Sequence, residues 1–169
     1  MKENETVILG VDPGTIVTGY GIIRIQNRSF VPIDYGCIRP PAKAILSDRY
    51  LVIFNSIEEL IHKYQPSVLA FELQYVSKNV QSALKLSMAR MAAALSAKKK
   101  GLRVFGYSPS TVKKAVTSSG SASKHQVQGM VQQILNLTTK PEPEDAADAL
   151  ALAICHGQTA AHLDERYEF

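Results

Sequence analysis

The sequence predicts an α/β fold in which a mixed five-stranded sheet is flanked by helices, and three observations lead there. The chain opens with three strand-like runs joined by short links, an arrangement that pairs antiparallel. Beyond residue 46, helix-patterned and strand-patterned segments alternate. At 169 residues and 46% hydrophobic, the chain suits one domain, residues 1–169, with a substantial core, and is short for two of ordinary size.

Thr6–Val11 is a short β-branched run that stops at Asp12-Pro13-Gly14-Thr15, where Pro and Gly mark a turn. Val17–Ile25 and Phe30–Ile38 read as two further strands, tightly connected through Gln26-Asn27-Arg28. Leu46–Tyr64 places Leu51, Phe54, Ile57, Leu60 and Ile61 at helical spacing and ends at Gln65-Pro66. Val68–Phe71 follows as a buried strand finishing at Glu72. Asn79–Lys100 is rich in Ala, Leu and Met on more than one face, so this helix is expected to pack against a second body as well as its own sheet. Arg103–Tyr107 is the last strand, and Ser108-Pro109 opens a helix with Pro at its favoured first position. Ser123-x-x-Gln126 has capping-box spacing ahead of Val127, Met130, Val131, Ile134 and Leu135. A final helix begins near Pro143 and is expected to run to His162.

Charge is segregated along this scaffold. Leu73–Lys140 holds eleven Lys or Arg and no Asp or Glu, whereas residues 1–72 hold seven against eight and residues 141–169 one against seven. Lys78, Lys85, Arg90, Lys98, Lys99, Lys100, Arg103, Lys113, Lys114, Lys124 and Lys140 are thus available to neutralise phosphates. Lys98–Lys100 also fit the plain role of ending a helix before Gly101. The pattern points to a polyanion held by the middle of the chain and cut by its flanks.

The flanking acids have the chemistry for that cut. Asp12 ends the first strand and Glu72 the fourth, so both reach one sheet edge if those strands are parallel neighbours. Asp145 and Asp148, three apart at the start of a helix, share a face. Such hard oxygen donors suit Mg²⁺ or Mn²⁺, and two such ions activate water and stabilise a leaving oxygen in phosphodiester hydrolysis. Asp12 also fits a turn residue, and Asp145, beside Glu142 and Glu144, also fits the positive end of its helix. Asp148 lies a turn further in, where the small residues of Ala146-Ala-Asp-Ala-Leu-Ala let the helix approach a sheet closely.

Leu9-Gly-Val-Asp-Pro-Gly-Thr15, Val17-Thr-Gly-Tyr-Gly21, Gly36-Cys-Ile-Arg39, Ser82-Ala-Leu-Lys-Leu86 and Asp145-Ala-Ala-Asp-Ala-Leu-Ala151 together resemble the RuvC-type Holliday junction resolvases, in order and over nearly the whole chain. The resemblance implies a ribonuclease H-like fold and a homodimer. It also implies a Mg²⁺-dependent endonuclease that nicks two like-polarity strands of a four-way DNA junction, coupled to a branch-migration motor. It places the catalytic, metal-holding carboxylates on Asp12, Glu72, Asp145 and Asp148, and basic groups near the scissile strand on Lys113 and Lys124. Tyr75 falls where the family stacks an aromatic on an unpaired base. With Lys78, Lys85, Arg90 and Lys114 these complete the expected DNA contacts. Relatives often carry an amide directly after the strand-ending Glu, where this chain has Leu73 and then Gln74. The helix Asn79–Ala97, through Leu84, Met88, Met91 and Leu95, is the expected dimer interface, since two sites about a two-fold axis suit two symmetry-related strands.

Other classes fit less well. Gly10-Val-Asp-Pro-Gly-Thr15 also matches the phosphate turn of actin-like ATPases, but those need two related subdomains and a separate adenosine site. A non-catalytic nucleic-acid-binding module explains the charge segregation yet has no use for Asp148 in an apolar helix. The polar start Met1-Lys-Glu-Asn-Glu-Thr lacks a signal-peptide pattern and no stretch approaches a membrane span. Cys37 and Cys155 lack metal-like spacing and read as free thiols, so a cytoplasmic location is expected. The acidic C-terminus and the scattered His62, His156 and His162 are not expected to touch DNA, whereas His125, beside Lys124, is a candidate phosphate contact.

Overall fold

The structure is a computed structural model describing residues 5–73, 79–159 and 165–169. In chain order it contains β1 (Thr6–Asp12), β2 (Thr18–Gln26), β3 (Ser29–Ile38), α1 (Leu46–Tyr64), β4 (Val68–Glu72), α2 (Val80–Lys99), β5 (Arg103–Tyr107), α3 (Pro109–Thr117), α4 (Lys124–Ile134) and α5 (Glu144–Thr159), then a 3₁₀ turn at Glu165–Tyr167. The sheet order is β3-β2-β1-β4-β5. The first three strands pair antiparallel, and β4 and β5 add in parallel beyond β1. This is the ribonuclease H-like mixed sheet that the resemblance implies. The last helix is described to Thr159, and its expected continuation to His162 lies outside the described residues.

Local chemistry sets the element ends. Asn27 and Arg28, both at positive φ, form the two-residue link whose twist suits a hairpin between β2 and β3. Gln65 takes a left-handed conformation and returns its N–H to Ile61 O before Pro66 stops α1. Asn79 caps α2 and Ser108 caps α3, while Ser123 and Gln126 make both halves of the capping box at α4.

Each face of the sheet carries its own core. On one, α1 and α2 bury Ile53, Ile57, Ala89 and Ala93 against Leu9, Val11, Leu69 and Phe71. On the other, α3, α4 and α5 bury Val112, Val127, Val131, Leu150 and Ile154 with Ile8, Ile23 and Phe105. Helix α5 is the most enclosed element, buried from Ala146 to His156 except at Asp148. His156 accepts or donates a 2.7 Å bond with the Tyr107 hydroxyl, tying α5 to β5, and burial together with the nearby Arg103 pushes its imidazole down to about 4.

The closeness of α5 to the sheet comes from glycine on one side and alanine on the other. A Cβ on Gly10 would stand 2.0 Å from Ala149 O, and one on Gly19 would stand 1.9 Å from Asp145 O. Neither neighbour is a flexible side-chain end, so the helix would have to lift. Gly10→Ala is therefore expected to destabilise the fold by about 3 kcal/mol or more; urea unfolding measures it, and a loss below about 1 kcal/mol would contradict this packing.

Candidate active site

Strand register brings the first two acids together. Val11 pairs with Phe71 across the parallel β1/β4 ladder, and Asp12 and Glu72 each follow by one residue, side by side at the sheet's C-terminal edge. Asp148 enters from above on α5. The three line a cleft of about 340 Å³ together with Lys113 of α3 and Lys124 of α4, over an apolar lining of Pro109, Val112, Val127 and Ala151.

Asp145 has a different place. It sits in the first turn of α5, backbone packed on Gly19, and does not line the cleft. Its charge nevertheless reaches Asp12 and also Cys37, which faces Gly19 in register on β3. Among the described residues no three His, Cys, Asp or Glu side chains are gathered tightly enough to enclose an ion, so the acids converge to charge-coupling distance rather than ligand spacing.

The electrostatics centre on Asp12. Burial first, then Asp148, Glu72 and Asp145, push its carboxyl up to about 7, with Lys124 pulling the other way. Burial also raises Asp148, against the lowering effect of Lys124. The Lys124 ammonium lies 3.4 Å from Asp148 and 3.8 Å from Glu144 on a largely exposed side chain, and Asp148 foremost holds its pKa above the usual lysine value. A buried, mutually repelling set of hard oxygen donors is one that divalent cations fit, because a cation turns that repulsion into attraction.

The remaining expected contacts spread out. Lys85 and Lys114 are exposed, whereas Arg90 is half-buried, with its guanidinium 5.8 Å from the Phe71 ring centre and its Nε buried without a hydrogen-bond partner among the described residues. Tyr75 and Lys78 lie outside the described residues, as does Gln74. Leu73 packs against Gly106, where a Cβ would stand 2.6 Å from its side chain, so this position serves the apolar core. Lys99 and Lys100 pair with Glu58 at 2.9 and 3.4 Å, and Arg103 pairs with Glu168 at 2.6 Å, so part of the basic stretch is already neutralised within the protein. His125 is exposed with its Nε2 2.6 Å from Lys140 Nζ.

Sequence reasoning missed the residues that fix the turn after Asp12. Thr18, fully buried, donates from its hydroxyl to Gly14 O at 2.8 Å and accepts from Gly14 N–H at 3.2 Å. Arg49 of α1 donates to the carbonyls of Ala42, Ala44 and Thr15. A threonine four residues past a Gly turn is a readable signal. A guanidinium that meets backbone carbonyls from two separate loops leaves none.

Comparison with known proteins finds relatives over nearly the whole chain. A family model described as crossover junction endodeoxyribonuclease RuvC matches residues 8–156. The chain is 57% identical over 165 residues to the crossover junction endodeoxyribonuclease RuvC of Protochlamydia amoebophila, covering 98% of each. It is 49% identical over 157 residues to that of Shewanella amazonensis, covering 93% of this chain and 90% of the relative. Among solved structures, Thermus thermophilus RuvC superposes with a TM-score of 0.86 at 29% identity, over 93% of this chain and 96% of that one. T. thermophilus RuvC in complex with Holliday junction substrate gives 0.84 at 28% identity with the same coverage. A yeast mitochondrial Holliday junction resolvase, at 15% identity and a TM-score of 0.63 over 92% and 81% of the two chains, shares the fold.

The raised Asp12 makes a pH-dependent prediction. Between about pH 4 and 7 the folded chain holds a proton that the unfolded chain releases, so this group's contribution to stability falls as pH rises through that window. In EDTA at pH 8, Asp12→Asn is expected to be more stable than the unsubstituted protein by on the order of 2 kcal/mol, with the advantage shrinking below pH 7 and vanishing near pH 4. Urea melts across that range measure it, and a destabilised Asn variant at pH 8 would contradict it.

Proposed function

The chain belongs to the RuvC family of crossover junction endodeoxyribonucleases, and from that premise we propose that it resolves four-way DNA junctions in recombination and repair by paired nicks in strands of like polarity. The observation that carries this reading is the single cleft in which Asp12, Glu72 and Asp148 face Lys113 and Lys124. Its runner-up, a binding module without catalysis, has no use for a carboxylate held up to about 7 by burial and by three like charges.

In the proposed reaction, water attacks a DNA phosphodiester in line, leaving 5′-phosphate and 3′-hydroxyl ends. Divalent cations, Mg²⁺ with Mn²⁺ as a substitute and two per site, would supply Lewis-acid activation of the water and charge stabilisation at the leaving oxygen. Asp12 and Glu72, fixed at adjacent strand ends, and Asp148 from α5 are the residues to hold them, with Asp145 completing the set from the first turn of α5. Lys124 is shared between Asp148 and Glu144 on an exposed side chain, so an entering phosphate competes for its ammonium at little cost. Lys113 supplies a second cation on the same wall, where charge develops on the phosphate in the transition state. Lys85, Lys114 and Arg90, with Lys78, extend the contact to the DNA backbone, and Tyr75 stacks on an unpaired base near the junction centre.

The family reading also favours a homodimer through α2. Leu84, Met88, Met91 and Leu95 are exposed at helical spacing, an apolar stripe on a helix whose opposite side is already packed on the sheet. We further propose cytoplasmic residence, in keeping with two free cysteines and with the absence, among the described residues, of a helix long and apolar enough to cross a membrane. Coupling to a branch-migration motor follows from the resemblance.

Cleavage and oligomeric state both test this. With a synthetic four-way junction and Mg²⁺, the protein should make symmetric nicks that linear duplex does not receive. Asp12→Asn should bind the junction in EDTA within a few-fold of the unsubstituted protein yet nick it roughly a thousandfold more slowly; nicking at the original rate would sink the assignment. In sedimentation at micromolar concentration the protein should be a dimer, and Met88→Glu should shift it to monomer by placing a charge in the apolar stripe. A protein that is already monomeric would remove the proposed interface.

A further inference from the structure

Two isoleucines stand exposed beside the catalytic turn. Ile16, 71% exposed, lies four residues past Asp12, and Ile45, 67% exposed, occupies the N-cap position of α1. Both positions ordinarily favour polar residues. Turn tips are polar, and an N-cap prefers Ser, Thr, Asp or Asn, whose side chains accept an orphan N–H, whereas Ile45 makes no side-chain cap bond. Where local preference is broken at two neighbouring surface points, function is the first explanation to test.

Arg49 brings the two together. Its guanidinium donates to Thr15 O and Ala44 O, the residues immediately before Ile16 and Ile45. Thr18 braces the same turn through both Gly14 backbone groups, and a Cβ on Gly14 would stand 2.2 Å from Val17 O, so the turn has little room to reshape. The two aliphatic side chains are therefore held at one corner of the molecule by hydrogen-bonded backbone.

That corner is held by the helix on the opposite face of the sheet from the cleft's cations. Lys113 and Lys124 come from α3 and α4, on the sheet face shared with α5, whereas Arg49 belongs to α1 on the other face. Four residues of chain separate Asp12 from Ile16, a reach of at most roughly 14 Å, or about four base steps along a strand. A DNA strand with a phosphate at Asp12 thus has lysines on one flank and, on the other, two exposed aliphatic side chains whose backbone is braced by Arg49.

We propose that Ile16 and Ile45 form a ledge that packs against the sugars and base edges of the strand entering the Asp12 cleft, as apolar side chains do when they wedge against nucleic acid. The inference rests on the junction-nuclease reading above. Its test is the double variant Ile16→Ser/Ile45→Ser beside Ile16→Leu/Ile45→Leu, with junction binding measured by fluorescence anisotropy in EDTA and thermal unfolding followed in parallel. The Ser pair should raise Kd about tenfold, while the Leu pair stays within about threefold of the unsubstituted protein. Because Ser at position 45 restores a normal N-cap, the melting temperature of the Ser pair should hold or rise by a few degrees even as binding weakens. A Kd within twofold of the original, a loss that Leu does not restore, or a melting temperature that falls with affinity overturns the ledge. An unsubstituted protein that fails to nick the junction overturns the nuclease reading instead.

Discussion

Helix α5 lies on β1 and β2 at a distance only glycine allows, with Ala149 O and Asp145 O placed where Cβ atoms on Gly10 and Gly19 would be. Most of the site depends on this contact. β1 supplies Asp12 at its end and α5 supplies Asp148, so the gap between those carboxylates is set by how deeply the helix settles. A helix one methyl group further from the sheet would carry Asp148 away from Asp12 and open the floor of the cleft at Ala151. The bond from Tyr107 to His156 pins the same helix two turns later, and Tyr107 is the register partner of Glu72. The third carboxylate is therefore tied into the same arrangement through β5.

Close packing explains what was legible in the sequence and what was not. Among the described residues the five strands and five helices, the starts of α3 at Ser108-Pro109 and α4 at Ser123, and the tight link at Gln26-Asn27-Arg28 are written in local patterns, and so is the enclosure of Asp148 among alanines. Asp12 and Glu72 could be placed at one edge once β1 and β4 were taken as parallel neighbours, and the β1/β4 register supplies that. The other half of the α5 contact was hidden, because Gly10, Gly19 and Gly21 read as ordinary strand or motif glycines until a helix is laid across them. Arg49 was hidden for a related reason: it bonds to main-chain carbonyls, which carry no residue identity. The different settings of Asp145 and Asp148, three residues apart, likewise depend on where the helix begins relative to β2 and β3.

The basic stretch also changes meaning once folded. Its sequence suggests one broad cationic surface, yet Lys98, Lys99, Lys100 and Arg103 gather around Glu58 and Glu168, near the end of the sheet away from Asp12. Arg90 turns inward against Phe71. Among the described residues the cations that line the cleft are Lys113 and Lys124, both on the α3–α4 wall, while the Glu72 and Asp12 charges also act on the Arg90 guanidinium. Few cations at the cleft is a sensible arrangement for a nuclease, since a lysine-filled site would satisfy the carboxylates and compete with metal. One lysine shared loosely between Asp148 and Glu144 leaves the acids still in mutual repulsion, and burial, reinforced by that repulsion, keeps Asp12 pushed up to about 7. The chain thus folds around an unfavourable cluster of like charges because α5 is held in place by packing elsewhere along its length. The apolar burial from Ala149 to His156 holds the helix down, and the carboxylates at its exposed end are left poised to gain from any cation and phosphate that enter together.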